Sequence, residues 1–170
     1  METETIVHPL KPILPADARV LILGSLPSPK SREAGMYYAN PQNRFWLVMA
    51  GLWEEDEPLT NEERIAFCAA HHIALWDVIH RCHIRGASDA SITDVVPNDI
   101  AKLLSGTSIG CVFTTGTRAH ALYRRYVEKA AGISAYALPS TSPANARMRL
   151  PDLLLAYRPV REAADGGKAR

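Results

Sequence analysis

No apolar run in this 170-residue chain approaches the roughly 18 residues that a bilayer span needs. The opening METETIVHPLKP has neither the basic start nor the apolar middle of a secretory signal. A cytoplasmic protein without membrane contact is therefore expected. Cysteine is scarce: Cys68, Cys82 and Cys111 are odd in number and form no CxxC, which argues against a disulfide framework and a zinc ribbon and leaves them as small buried hydrophobes. HRCH at 80–83 and the pair His71–His72 lack further ligands at useful spacing, so neither metal nor cofactor is expected. Also missing are a GxSxG elbow, a GxxxxGKS/T phosphate loop and a GxGxxG turn.

What is present is an ordinary apolar fraction of 47% and enough length for one packed core. The expectation is a single domain over 1–162 with a flexible tail over 163–170. Net charge is only +1, but it is unevenly placed. The block at 54–63 is acidic, whereas 138–161 carries Arg147, Arg149, Arg158 and Arg161 against Asp152 alone. A polyanion would meet the second stretch and avoid the first.

Continuous apolar runs at 19–24, 73–79, 109–116 and 133–139 read as strands buried on both faces. Between them lie helical patterns: from Asn43, from Thr60 with the Thr60–Glu63 capping-box spacing, from Pro97 to Gly106, and from 117 to Gly132. A last helix follows Arg149 and carries Pro159, a candidate interruption. Four buried strands alternating with helices imply a three-layer α/β/α domain around a four-stranded parallel sheet. Ligands in such sheets bind beyond the carboxyl ends of the strands, here Gly24, Asp77, Gly116 and Pro139.

Two irregular loops converge on that edge. The first, GSLPSPKSREAGMYYANPQNRFW at 24–46, holds about 18 loop residues where a simple reversal needs two to six. It offers Ser25, Ser28 and Ser31 as hydroxyls, Tyr37 and Tyr38 as flat faces, and Asn40, Gln42 and Asn43 as carboxamides. The second, from Ser140, repeats the Ser and Pro chemistry and adds Asn145, Arg147, Met148 and Arg149. Such groups suit phosphate oxygens and the face and edge of a base. Neither loop holds a carboxylate pair, so no two-carboxylate glycosidase site is visible. Asp77, at a strand end, reads either as a group that orients a water or an amide, or as a buried carboxylate satisfied by loop amides. Asn43 reads as a helix cap, a role that leaves room for a catalytic one. Phe45 and Trp46 read as core or pocket wall.

VLILGSLP, YYANPQNRFW and LPSTSPAN, in that order and each following a strand where the fold requires it, resemble the signature segments of the uracil-DNA glycosylase superfamily, and most of all its hypoxanthine-DNA glycosylase branch. The resemblance covers roughly 19–160. It implies a monofunctional enzyme that flips a deaminated base out of DNA and hydrolyses its N-glycosidic bond, with no metal and no lyase step. By position, Asn43 matches the asparagine assigned to water positioning or catalysis. Gly24, Ser25 and Leu26 match the segment bordering the base pocket, with Tyr37, Tyr38, Asn40 and Phe45 as further pocket candidates. Ser28, Ser140, Thr141, Ser142, Pro143, Asn145 and Arg149 match or adjoin the DNA-facing segments, and Arg147 and Met148 fall where relatives insert a wedge. The mismatch-specific uracil branch has an asparagine where this chain has Leu26, which shifts the burden to Asn43 and away from uracil.

The expected substrate is DNA containing hypoxanthine, with xanthine or uracil as alternatives, acted on by a monomer. Two other readings differ in what they release. A non-catalytic nucleic-acid or nucleotide binding module on the same fold would bind without freeing a base, and a small-nucleoside hydrolase would cleave free inosine.

Overall fold

The computed structural model describes residues 2–86 and 88–166. Seven strands and seven helices follow in order: β1 Thr3–Val7, β2 Val20–Gly24, α1 Pro29–Ala34, α2 Phe45–Leu52, α3 Asn61–His71, β3 Ile73–Asp77, β4 Ile79–Arg85, β5 Thr93–Pro97, α4 Ile100–Ser105, β6 Cys111–Thr115, α5 Thr117–Tyr126, α6 Glu128–Ala131, β7 Ala135–Leu138 and α7 Leu150–Ala164. The four expected strands form one parallel sheet in the order β3-β2-β6-β7. In β2, Val20 and Ile22 enter the core beneath α2, α3 and α7, while Leu21 and Leu23 enter the core facing α4, α5 and β4. That two-sided burial explains the unbroken apolar run and makes the three-layer arrangement. β7 is the exception: it closes the sheet edge, and Tyr136 is 39% exposed.

A second sheet, antiparallel in the order β1-β4-β5, was not expected. The 73–79 run is not one strand. Val78 N–H bonds to Gly24 O and Ile79 N–H to Ser25 O, and there the chain leaves the parallel sheet for the antiparallel one. HRCH lies on β4 with Cys82 buried and the neighbours His80 and Arg81 both outward, a break in the alternation where the pairing with β5 shifts register. His83 pairs with Asp94 at 2.8 Å.

Several helix boundaries also differ from expectation. The helix expected from Pro97 opens at Ile100, capped by Asp99 onto Lys102 N–H, while Pro97 ends the edge strand β5, where its missing donor costs nothing. The span 117–132 breaks at Val127 into α5 and α6. α7 runs unbroken through Pro159; the carbonyl this proline leaves unbonded belongs to Leu155, which is 65% exposed and open to water. Ala163 and Ala164, placed in the tail by sequence, complete this helix, and Ala164 is fully buried. The tail's residues 167–170 lie outside the described residues. The Thr60–Glu63 capping box forms with both of its bonds.

Candidate active site

β2 ends at Gly24, in register with Asp77 at the end of β3, and Thr115 ends β6 beside them. Beyond these ends lies a cavity of about 380 Å³, within the range of small-ligand pockets. Gly24, Ser25, Leu26 and Ser28 border it from the first loop, joined further along by Tyr37, Tyr38, Asn40 and Asn43. Ser140, Ser142 and Pro143 border it from the second. The two loops thus meet at one mouth.

The first loop is not wholly irregular. Ser28 Oγ accepts from Ser31 N–H and starts the short helix α1, so this hydroxyl caps the backbone as well as facing the cavity. Ser31 is buried and accepts from Ala39 N–H at 3.0 Å. Asn40 Oδ1 accepts from Gln42 N–H at 2.9 Å, a turn-forming bond.

Tyr37 and Tyr38 have different roles. Tyr37 borders the cavity but is 3% exposed, its hydroxyl donates to Lys11 O and its carbonyl accepts from Trp46 Nε1, so it is a strut and no stacking face. Tyr38 adopts φ 54°, a left-handed conformation that non-glycine residues rarely take. Its ring stacks on Phe45 at 3.8 Å between centroids and 14° between planes, and its hydroxyl lies 3.0 Å from Thr115 Oγ1. Phe45, expected at the pocket, is fully buried behind Tyr38 and does not border the cavity. Burial first, and the charge of Asp77 second, raise both phenols well above the ordinary tyrosine range and keep them protonated.

Asn43 holds the mouth together. Its Oδ1 accepts from Phe45 N–H at 2.9 Å and from Thr141 Oγ1 at 2.7 Å. The oxygen is therefore committed, while Nδ2 donates to none of the described residues and remains for a ligand. Thr141, expected against DNA, is 1% exposed and serves as this internal anchor instead.

In the second loop, Asn145 Nδ2 donates to Ser140 O, and Arg44 donates to the carbonyls of both Asn145 and Met148. Met148 is half-buried against the core, which ill suits a side chain meant to leave for a DNA stack, whereas Arg147 and Arg149 are exposed. The Arg149 backbone N–H donates to Asp152 Oδ2 at the start of α7. A groove of about 760 Å³, lined by His120, Arg124, Asn145 and Met148 among others, runs along the far side of this loop and shares Ser140 and Ser142 with the cavity.

Sequence reasoning overlooked Arg44 and His8 altogether and left Asp77 undecided. Among the described residues no loop amide donates to the Asp77 side chain: its Oδ2 lies 2.7 Å from His8 Nε2, and both side chains are almost wholly buried. His8 Nδ1 lies 2.9 Å from Leu10 O, a carbonyl that can only accept, so Nδ1 carries a hydrogen. Arg44 had a signal in its place beside Asn43; His8, in the lead-in to the sheet, had none. Among the described residues, no three His, Cys, Asp or Glu side chains gather as a metal site, and no helix is long and apolar enough to cross a membrane.

A four-stranded parallel sheet with a walled cavity at its carboxyl edge places the asparagine and serine loops where α/β sheets bind their ligands. Residues 12–160 match the uracil DNA glycosylase superfamily, and the chain belongs to that family. It is 36% identical over 92 residues to a hypoxanthine DNA glycosylase of Methanosarcina acetivorans and 31% identical over 93 residues to one of Methanosarcina barkeri. Each alignment covers 54% of this chain, and the chain spans 58% and 59% of these relatives' lengths. The solution NMR structure of a Methanosarcina acetivorans protein, assigned there as a candidate uracil DNA glycosylase, superposes with a TM-score of 0.75 at 28% identity, over 89% of this chain and 96% of that one.

Proposed function

We propose that this protein is a monofunctional DNA glycosylase that takes a deaminated base, hypoxanthine foremost, from DNA into the cavity and hydrolyses its N-glycosidic bond to leave an abasic site. The observation that carries the reading is Asn43: a side chain at the mouth whose oxygen is tied down and whose amide nitrogen is free toward a walled cavity. The family match and the names of the two curated relatives support it.

The chemistry fits neutral groups. As the bond between C1′ and the base breaks, the electron pair leaves with the base and the sugar becomes oxocarbenium-like. Water adds its oxygen to C1′, and its proton ends on the released base. Donors fixed where negative charge grows contribute most in such a reaction, typically several kcal/mol for one well-placed group. Asn43 Nδ2 is placed to be such a donor to the departing base. A lyase step requires an amine nucleophile; among the described residues bordering the cavity none is a lysine. Arg147, Arg149 and the groove with His120 and Arg124 form the face offered to phosphates.

The test is release of free base, with EDTA present, from duplexes carrying one deoxyinosine, one xanthine or one uracil, followed by alkaline strand cleavage. Alkali-labile breaks at inosine are expected. Salt-sensitive binding without release would identify a recognition module instead, and cleavage of free inosine without DNA would identify a nucleoside hydrolase.

A further inference from the structure

We infer that the outer face of the β1-β4-β5 sheet is a second DNA contact surface, on which Arg81 and Arg85 take backbone phosphates of the duplex beside the nucleotide drawn into the cavity. The inference rests on DNA being the substrate, as proposed above, and gives a role to a sheet that the glycosylase reading leaves without one. β4 is the middle strand of that sheet and runs along the mouth: at one end Ile79 N–H bonds to Ser25 O, and at the other Ile84 and Gly86 border the cavity. The register decides which side chains share a face. Arg81, His83 and Arg85 stand opposite Val7, Thr5 and Thr3 on the side turned away from the core, whereas Cys82 and Ile84 are buried. The Arg81 guanidinium has no partner among the described residues. Arg85 commits only Nε, to Thr3 Oγ1 at 3.2 Å, and keeps both terminal nitrogens.

Carboxylates on the described parts of these strands do not oppose that charge. Glu4 pairs with Ile84 and so belongs to the opposite side of β1. Asp94 reaches the outer face only through a bulge: between the pairs Arg81–Val96 and His83–Thr93, β5 spends one more residue than β4. It takes φ 53° there, and its Oδ2 lies 2.8 Å from His83 Nδ1, so its carboxylate is engaged by the histidine. The two arginines stand about 13 Å apart at the rise of a strand. Each can therefore meet its own phosphate on a duplex that carries one per about 3.4 Å of axis on each strand. None of the three strands holds Phe, Tyr or Trp, so the face has no platform for the unstacked bases of a single strand. Guanidinium groups and threonine hydroxyls suit the phosphate oxygens of a duplex instead. An acidic protein would meet the same charges, but continuity with the cavity rim at Ile84 and Gly86 favours DNA already lying on the mouth.

The experiment measures binding by fluorescence anisotropy across a salt series. The probe is a labelled duplex that extends a full helical turn to either side of one 2′-fluoro-2′-deoxyinosine, whose fluorine opposes an oxocarbenium-like sugar and keeps the base attached. Arg81→Gln and Arg85→Gln should each lower the slope of log affinity against log salt by about one, and the double variant by about two. Arg85→Lys keeps the charge and should keep the slope, which separates a phosphate contact from the bond to Thr3. Lys129→Gln removes an exposed cation from α6, remote from the mouth, and should leave the slope as it is. On a duplex that ends just beyond the lesion, the double variant and wild type should share one slope. An unchanged slope in the double variant on the long duplex would overturn the inference and leave the face to an acidic protein. An equal loss in Lys129→Gln would overturn it too, since net charge alone would then account for the effect. Absence of base release by wild type from inosine, xanthine and uracil duplexes would remove the glycosylase reading, whereas the salt slopes need no release and decide this inference separately.

Discussion

The two loops at the mouth differ in where their fixing bonds come from. The first, between β2 and α2, is built largely on its own turns, with Tyr37 Oη on Lys11 O as an outer tie: Ser28 starts α1, Ser31 gathers Ala39, and Asn40 closes its own turn. The second, between β7 and α7, closes its own turn through Asn145 Nδ2 on Ser140 O and is also pinned from outside, by Arg44 on Asn145 and Met148, by Asn43 on Thr141, and by Tyr157 Oη on Pro139 O at 2.6 Å. A self-supported wall tolerates the loss of one bond. A loop pinned by two adjacent residues of another segment moves when either is lost, and it is this loop that carries the exposed arginines. On the proposed function, positioning of DNA is thereby coupled to the proposed catalytic residue, since Asn43 also anchors this loop.

Arg44→Met should break that contrast most sharply. It keeps the aliphatic stem and removes the guanidinium that holds two loop carbonyls, each such charge-assisted bond contributing about 1.5–3 kcal/mol. Expected are a clear fall in thermal midpoint and weaker DNA binding, whereas an unchanged midpoint in calorimetry would show that the second loop holds without its pin. Ser28→Ala, the matching change in the first loop, should cost only about 1 kcal/mol in a urea titration and leave binding nearly intact. Arg147→Ala should leave stability alone and lower the slope of log affinity against log salt by about one, as loss of one phosphate contact does.

The smallest effect concerns a region remote from both loops. Burial, and then the Glu128 charge, push the Tyr123 phenol up to about 12, while its hydroxyl donates to Ile133 O. An unfolded tyrosine titrates near 10. Between these values the unfolded chain has released a proton that the folded chain retains, so this contribution is whole below about pH 10 and is lost as pH rises toward 12. Urea midpoints should hold through neutral pH and fall above about 10, and Tyr123→Phe should flatten that fall.

The parallel sheet was legible because strands buried on both faces must be continuously apolar, as VLILG is. The antiparallel sheet was hidden for the converse reason. IHRCHIR breaks strict alternation at His80–Arg81, where its pairing shifts register, and its outward histidines and arginines look like a ligand cluster rather than a strand, while TETIV and TDVVP are short and largely exposed. At the mouth, residue types identified the participants but not their directions. Thr141 lies between two serines that border the cavity and points inward to Asn43, and Phe45 turns away behind Tyr38. The His8–Asp77 pair joins positions 69 residues apart, and no local pattern could reveal it.

Asn43→Asp tests the central claim most directly. A carboxylate keeps both acceptor bonds, to Phe45 N–H and Thr141 Oγ1, and with them the second loop; only the amide donor is lost. In a single-turnover assay on a deoxyinosine duplex, the account predicts a fall in rate of about 10²–10³-fold with a thermal midpoint near wild type. Release at the wild-type rate would show that Asn43 acts only as an anchor, and would contradict the account.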